Sequence, residues 1–197
     1  MAMKMAAVIC KERTKCNPEV LETVLEIAMT ISRRTAERGG TGALFVVSDE
    51  EAVLNKSTPL ILDPLANYPK EQKDIKDANV QGTINELSKL DGAFVISAEG
   101  YVLSAARYIE ANSQNINLPM GFGTRHMAAA SITEQTDAVA IVVSESDGVV
   151  RVFKDGELIS EIISGTTDLD KIKPHIMGKY EKIVDNDLNL TLVVKRA

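Results

Sequence analysis

The run Ala138-Val139-Ala140-Ile141-Val142-Val143 constrains the fold more than any other part of the chain, because six consecutive residues without a polar side chain leave no face for water. A run this short between polar flanks reads as a strand covered on both sides. Residues 42–47 have the same character, with glycine in front and Ser48, Asp49 and Glu50 behind. Such strands need helices over them, and residues 18–38 supply one. Val20, Leu21, Val24, Leu25, Ile27, Ala28 and Ile31 recur at helical spacing, Asn17 serves as cap, Pro18 stands in the first turn, and Arg38, Gly39 and Gly40 end it. Helix followed by buried strand predicts an α/β domain.

The remaining elements are less sharply drawn. Residues 55–79 carry prolines and charges and read as surface loop, after which 79–90 regain helical spacing through Val80, Ile84, Leu87 and Leu90. Short strands are expected at 93–97 and 101–105, joined in a hairpin across Ala98, Glu99 and Gly100, so Asp91 stands where helix hands over to strand. Residues 112–120 are polar loop. An alanine-rich helix is expected over 126–136, starting near Thr124, and strands at 149–153 and 157–163 flank an Asp155-Gly156 turn. Residues 164–197 hold a polar segment and a final strand at 188–194. The expected division is an amino-terminal segment 1–17, a main domain 18–163 and an extension 164–197 packed on that domain.

A formal charge of −6 argues against a broad nucleic-acid surface or an anionic membrane surface, both of which need clustered Lys and Arg. No apolar run approaches the roughly 20 residues of a spanning helix, and residues 1–10 lack the pattern of a secretory leader, so a cytoplasmic location is expected. Cys10 and Cys16 have no second thiol pair near them, and His126 and His175 lie far apart, which speaks against a zinc site.

Three segments at strand ends can carry chemistry. Asp91-Gly92-Ala93 is by itself a turn signal, or else a carboxylate for a divalent ion beside residues small enough to let a substrate reach the backbone. Gly121-Phe122-Gly123-Thr124-Arg125-His126 is either a glycine-rich helix start or an anion cradle in which amides, Thr124 and Arg125 meet phosphate oxygens. Ser144-Glu145 is a polar strand end, or a second oxygen ligand to a metal held by Asp91.

Together these segments resemble the catalytic domain of the diadenylate cyclase family, whose signatures are Asp-Gly-Ala and a later Arg-His-Arg preceded by Gly-Thr. Here they stand as Asp91-Gly92-Ala93 and Gly123-Thr124-Arg125-His126, with residues 42–47 and 137–145 similar to strands of that family. The resemblance runs from about Val20 to about Phe153, and the Thr-Arg-His-Met-Ala-Ala-Ala wording is most similar to archaeal members. An amino-terminal domain common in those members is expected to be missing or reduced.

The fold this implies is α/β, a single globular domain with a central mixed β-sheet flanked by helices. The implied activity condenses two ATP into cyclic di-AMP with release of two pyrophosphates, between two facing copies of the chain. The implied roles are Asp91 for the metal and the attacking hydroxyl, with Arg125 and His126 also catalytic. Gly92 and Ala93 shape the adenosine pocket, Gly123, Thr124, Arg125, His126 and Ser144 hold phosphates, and Glu145 joins Asp91 on Mn2+ or Mg2+. Tyr108 packs on adenine or belongs to the core. Met127 stands where the family has its second Arg, so Arg125, or a further cation such as Arg107, carries more of the neutralisation. A nucleotide-binding sensor of the same fold and a non-enzymatic self-associating domain stay open as alternatives.

Overall fold

The computed structural model describes residues 4–9, 16–38, 40–110, 116–165 and 173–196. Cys10 and residues 112–115 of the polar loop lie outside them. A nine-stranded sheet runs through these residues in the order β2-β4-β3-β1-β5-β6-β7-β9-β8. Its members are β1 (Ala43–Val47), β2 (Ser57–Pro59), β3 (Ala93–Ile96), β4 (Val102–Ile109), β5 (Val139–Val143), β6 (Val150–Lys154), β7 (Glu157–Ser164), β8 (Tyr180–Asp185) and β9 (Leu190–Lys195). β1 and β3 pair in parallel and every other neighbouring pair is antiparallel, so the sheet is mixed.

β1 and β5 are buried at every position because both sheet faces are covered. On one face lie α1 (Met5–Ile9), α2 (Pro18–Arg38) and α4 (Ala78–Leu87), packed on Phe45, Phe94, Ile141, Val152 and Leu192. The other carries α3 (Glu50–Asn55) and α5 (Thr124–Gln135), packed on Leu44, Val46, Val95, Ala140 and Phe153. The apolar positions expected to face inward along α2 are all buried, and the Glu19 amide donates to Asn17 Oδ1 at 3.0 Å as the cap requires. No helix of the described residues is long and apolar enough to cross a membrane.

The structure departs from the sequence expectations in several places, each with a local cause. Residues 55–79 are not loop throughout: β2 adds to the sheet edge, where Pro59 costs no ladder bond, and a 3-10 turn forms over Lys70–Gln72. β4 continues to Ile109 because β2 gives its second half a partner. α3 follows Ser48 and Asp49, both with positive φ, a reversal that the polar pair hid in the sequence. α5 starts at Thr124 as expected, with Gly123 as its cap. Within 164–197, β8 precedes β9, and the two pair as a hairpin on β7. The Asp155-Gly156 turn forms as expected, with φ of 54° and 75°.

Candidate active site

Four strands converge at one end of the sheet. β1 and β3 begin there, while β4 and β5, antiparallel to them, end there, with Ala43 opposite Val143 and Ala93 opposite Arg107. α5 starts at the same end. Residues distant in the chain therefore meet in a depression of about 330 Å³, within the size range of small-molecule sites. Asp91, Gly92, Ala93, Arg107, Tyr108, Thr124 and Arg125 line it, with Leu44, Leu60, Ile109, Met127 and Ala128 as its apolar wall.

A second depression adjoins the first and shares Thr124 and Arg125 with it. Gly121, Gly123, His126, Ser144 and Glu145 line this one. The structure thus brings Asp91-Gly92-Ala93 together with Thr124-Arg125, and Ser144-Glu145 together with the same Thr124-Arg125. Asp91 lines the first depression and Glu145 the second, so the two carboxylates do not share one depression.

Gly92 is held in a conformation only glycine adopts easily, with φ of 104°. Its amide donates to Asp91 Oδ1 at 2.9 Å and so orients the exposed carboxylate. A Cβ there would stand 2.9 Å from the Arg107 amide nitrogen and 3.0 Å from Ala106 Cα. The glycine is required by the close passage of β4. Tyr108 is exposed, which removes the core alternative for it and leaves its ring on the wall of the depression. The Arg107 guanidinium is tied into the sheet edge: Nε donates to Ser57 Oγ at 2.8 Å, and Nη2 to the Leu54 and Ser57 carbonyls at 3.0 and 2.6 Å.

Arg125 Nη1 lies 3.1 Å from Glu145 Oε2, and both groups are partly open to water, so the pair adds little stability and gives way readily to a competing anion. A Cβ on Gly42 would come within 2.9 Å of Arg125 Nη1 and 3.2 Å of Glu145 Cβ. Gly42 is therefore a site residue that its place at the head of a buried strand concealed. At the start of α5 the Gly123 carbonyl accepts from the His126 and Met127 amides at 3.1 and 3.2 Å. The amides of Thr124 and Arg125 precede the first helical bond and remain for a ligand.

His126 is buried, its ring stacked on Phe122 at 4.5 Å between centroids. Burial first, then the positive charge of Arg151 with smaller contributions from His175 and Arg125, outweigh the pull of Asp147 and push its pKa down to about 4. The neutral ring accepts at Nε2 from Arg151 Nη1, 3.4 Å away, and carries its proton on Nδ1. An imidazole of ordinary pKa, about 6.5, takes up its second proton at a higher pH in the unfolded chain than in the folded one. Stability from this group is therefore whole above pH about 6.5 and declines by about 3 kcal/mol as pH falls toward 4. An NMR titration of the His126 ring is expected to show no transition above about pH 5; a midpoint near 6.5 would contradict the buried, neutral assignment.

The Asp91 carboxylate suits a hard divalent ion. An ion that arrives with nucleotide phosphates needs only one or two protein oxygens, and Asp91, exposed and oriented at the rim, offers such an anchor. No cluster of three or more His, Cys, Asp or Glu side chains gathers among the described residues.

The family model described as DisA bacterial checkpoint controller nucleotide-binding, abbreviated DAC, matches residues 7–158. A protein named diadenylate cyclase from Methanocaldococcus jannaschii is 47% identical over 141 residues, which cover 72% of this chain and 44% of the relative. One of the same name from Haloferax volcanii is 43% identical over 149 residues, 76% of this chain and 54% of the relative. The chain thus spans about half the length of these curated relatives. A crystal structure of DacA from Staphylococcus aureus, a double cysteine mutant, aligns over 71% of this chain and 84% of its own at 24% identity and a TM-score of 0.46.

Proposed function

Because the chain belongs to the DAC family, we propose that it is a diadenylate cyclase, condensing two ATP molecules into cyclic di-AMP and releasing two pyrophosphates at a site shared by two facing copies. One observation carries this reading: Asp91-Gly92-Ala93 and Thr124-Arg125, far apart in sequence, line one depression that has an apolar wall and the exposed Tyr108 ring. A wall of Leu44, Leu60, Ile109 and Ala128 suits a purine, Tyr108 offers it a stacking face, and the start of α5 beside Arg125 suits its phosphates.

Each copy holds one ATP. Thr124 and Arg125 take the phosphate oxygens, and an incoming phosphate displaces Glu145 from Arg125. Ser144 adds a hydroxyl from the second depression, and His126, neutral, adds hydrogen bonding rather than charge. Asp91 accepts the proton of the ribose hydroxyl that attacks the α-phosphate of the facing nucleotide. Mn2+ or Mg2+ would be held by Asp91, with the freed Glu145 remaining in the adjoining depression, and such an ion supplies charge neutralisation at the phosphates and a more acidic attacking hydroxyl. Alignment and charge stabilisation are the main demands of this chemistry, and the site offers both without a nucleophilic cysteine.

Exposed apolar side chains support the two-copy arrangement: Ile61 follows Leu60 of the first depression, Met120 precedes Gly121 of the second, and Tyr108 stands on the first wall. Specific activity with ATP and Mn2+ or Mg2+ is therefore expected to rise with chain concentration and then level off. Constant specific activity from a chain that stays monomeric during turnover would overturn the shared site. A nucleotide sensor of the same fold is the second reading, favoured by Met127, which lines the first depression where the family resemblance has an arginine.

A further inference from the structure

Arg151, buried in the middle of β6, is used by nothing in the reaction as proposed. Taking a guanidinium out of water costs several kcal/mol unless its donors are met, and an apolar pair of similar volume often serves stability as well. The bonds it makes show what this one holds together. Nε donates to Glu161 Oε1 at 3.0 Å, from the residue directly opposite on β7. Nη2 and Nη1 grip Asp147 at 2.8 and 3.3 Å, and Nη1 also reaches His126 Nε2 at 3.4 Å. Its Cζ sits 4.8 Å from the centre of the Phe122 ring.

Those partners belong to the two sides of the second depression. Phe122 and His126 flank Gly123, Thr124 and Arg125, while Asp147 lies in the turn that opens with Ser144 and closes with the Gly148 amide on the Ser144 carbonyl at 2.9 Å. Glu161 is braced in turn by His175, whose amide donates to Oε2 at 2.7 Å and whose Nδ1 is 3.0 Å from Oε1. The His175 ring meets the Phe122 ring at 5.2 Å. Glu161 and His175 both lie beyond the residues matched by the family.

We propose that Arg151 is a positioning residue: one buried guanidinium fixes the 144–148 turn against the start of α5, so that Ser144, Thr124 and Arg125 present a single polyphosphate site. The inference rests on the cyclase reading for the identity of the phosphates, but its geometry does not depend on turnover. Arginine suits the task because its planar fork bonds three partners at fixed angles, which lysine cannot do.

The test compares wild type with Arg151→Met, Arg151→Lys, Asp147→Asn and, as a control for lost stability alone, Leu192→Ala in β9. Calorimetry measures binding of inorganic tripolyphosphate, and product formation from ATP gives kcat and KM. Arg151→Met is expected to weaken tripolyphosphate about tenfold and to lower kcat about a hundredfold, the scale of a small misplacement of reacting groups, with a lesser change in KM. Arg151→Lys should recover melting temperature more than kcat. Asp147→Asn, which removes only the exposed arm of the network, should show the same pattern more weakly and carries the test should Arg151→Met fail to fold. Leu192→Ala should lose melting temperature while keeping tripolyphosphate affinity. The proposal is overturned if wild type does not bind tripolyphosphate, or if the Arg151 or Asp147 variants that fold bind it and turn over as wild type does. A wild type that binds tripolyphosphate but forms no cyclic dinucleotide sinks the cyclase reading alone, and the binding comparison still decides the role of Arg151.

Discussion

Replacing Asp91 by Asn is expected to lower cyclic di-AMP formation by about a thousandfold or more while leaving ATP binding within a few-fold, since the change deletes a charge and a proton acceptor and little volume. The backbone around residue 91 is set by Gly92, and an amide oxygen can still accept the Gly92 N–H that Asp91 Oδ1 accepts at 2.9 Å. The fold is therefore kept, and the loss falls on the hydroxyl's proton and on the anchoring of the metal. The apolar wall, Tyr108 and Arg125 remain to bind nucleotide. Product formation by the variant at the wild-type rate would remove Asp91 from the chemistry.

Gly92→Ala is expected to cost about 2–4 kcal/mol of stability and most of the activity. A φ of 104° is strained for any residue with a side chain. The new Cβ also meets backbone that cannot swing aside, at 2.9 Å from the Arg107 nitrogen and 3.0 Å from Ala106 Cα, as well as Leu60 Cδ1 at 3.0 Å. Relief requires β4 to move away from β3, and β4 carries Arg107, Tyr108 and Ile109 into the depression. Chemical denaturation and turnover measured on one preparation should fall together. A variant of unchanged midpoint would show that the strand passage is looser than the distances imply.

The parts of this fold legible in the sequence are those where one face or both faces are apolar throughout. The buried strands β1 and β5 and the helix α2 announce themselves by unbroken or periodic burial, and Asp155-Gly156 announces its hairpin by residues that tolerate positive φ. β2, α3 and β8 were not legible because their side chains are mixed and their reasons are tertiary: an edge that β4 offers, a reversal at Ser48-Asp49, and a partner in β9.

The candidate site follows the same division. Asp91-Gly92-Ala93 and Thr124-Arg125 stand out as polar or small residues at element ends, and the structure gathers them. Gly42 and Leu60 gave no signal, because what makes them site residues is the approach of Arg125 to one and the space beside Gly92 filled by the other. Arg151 did leave a trace that could have been followed. It is a charge inside the apolar run Val150-Arg151-Val152-Phe153, and Glu161 interrupts the next strand in the register that faces it. Reading such interruptions as pairs across a hairpin, rather than one strand at a time, would have exposed the network.

Whether this depression makes cyclic di-AMP is decided by incubating the purified chain with ATP and Mn2+ or Mg2+ and identifying the products by chromatography and mass spectrometry. Cyclic di-AMP with two equivalents of pyrophosphate is the expected result. ATP bound tightly but recovered unchanged would contradict it and assign the chain to nucleotide sensing, with Met127 the first position to examine.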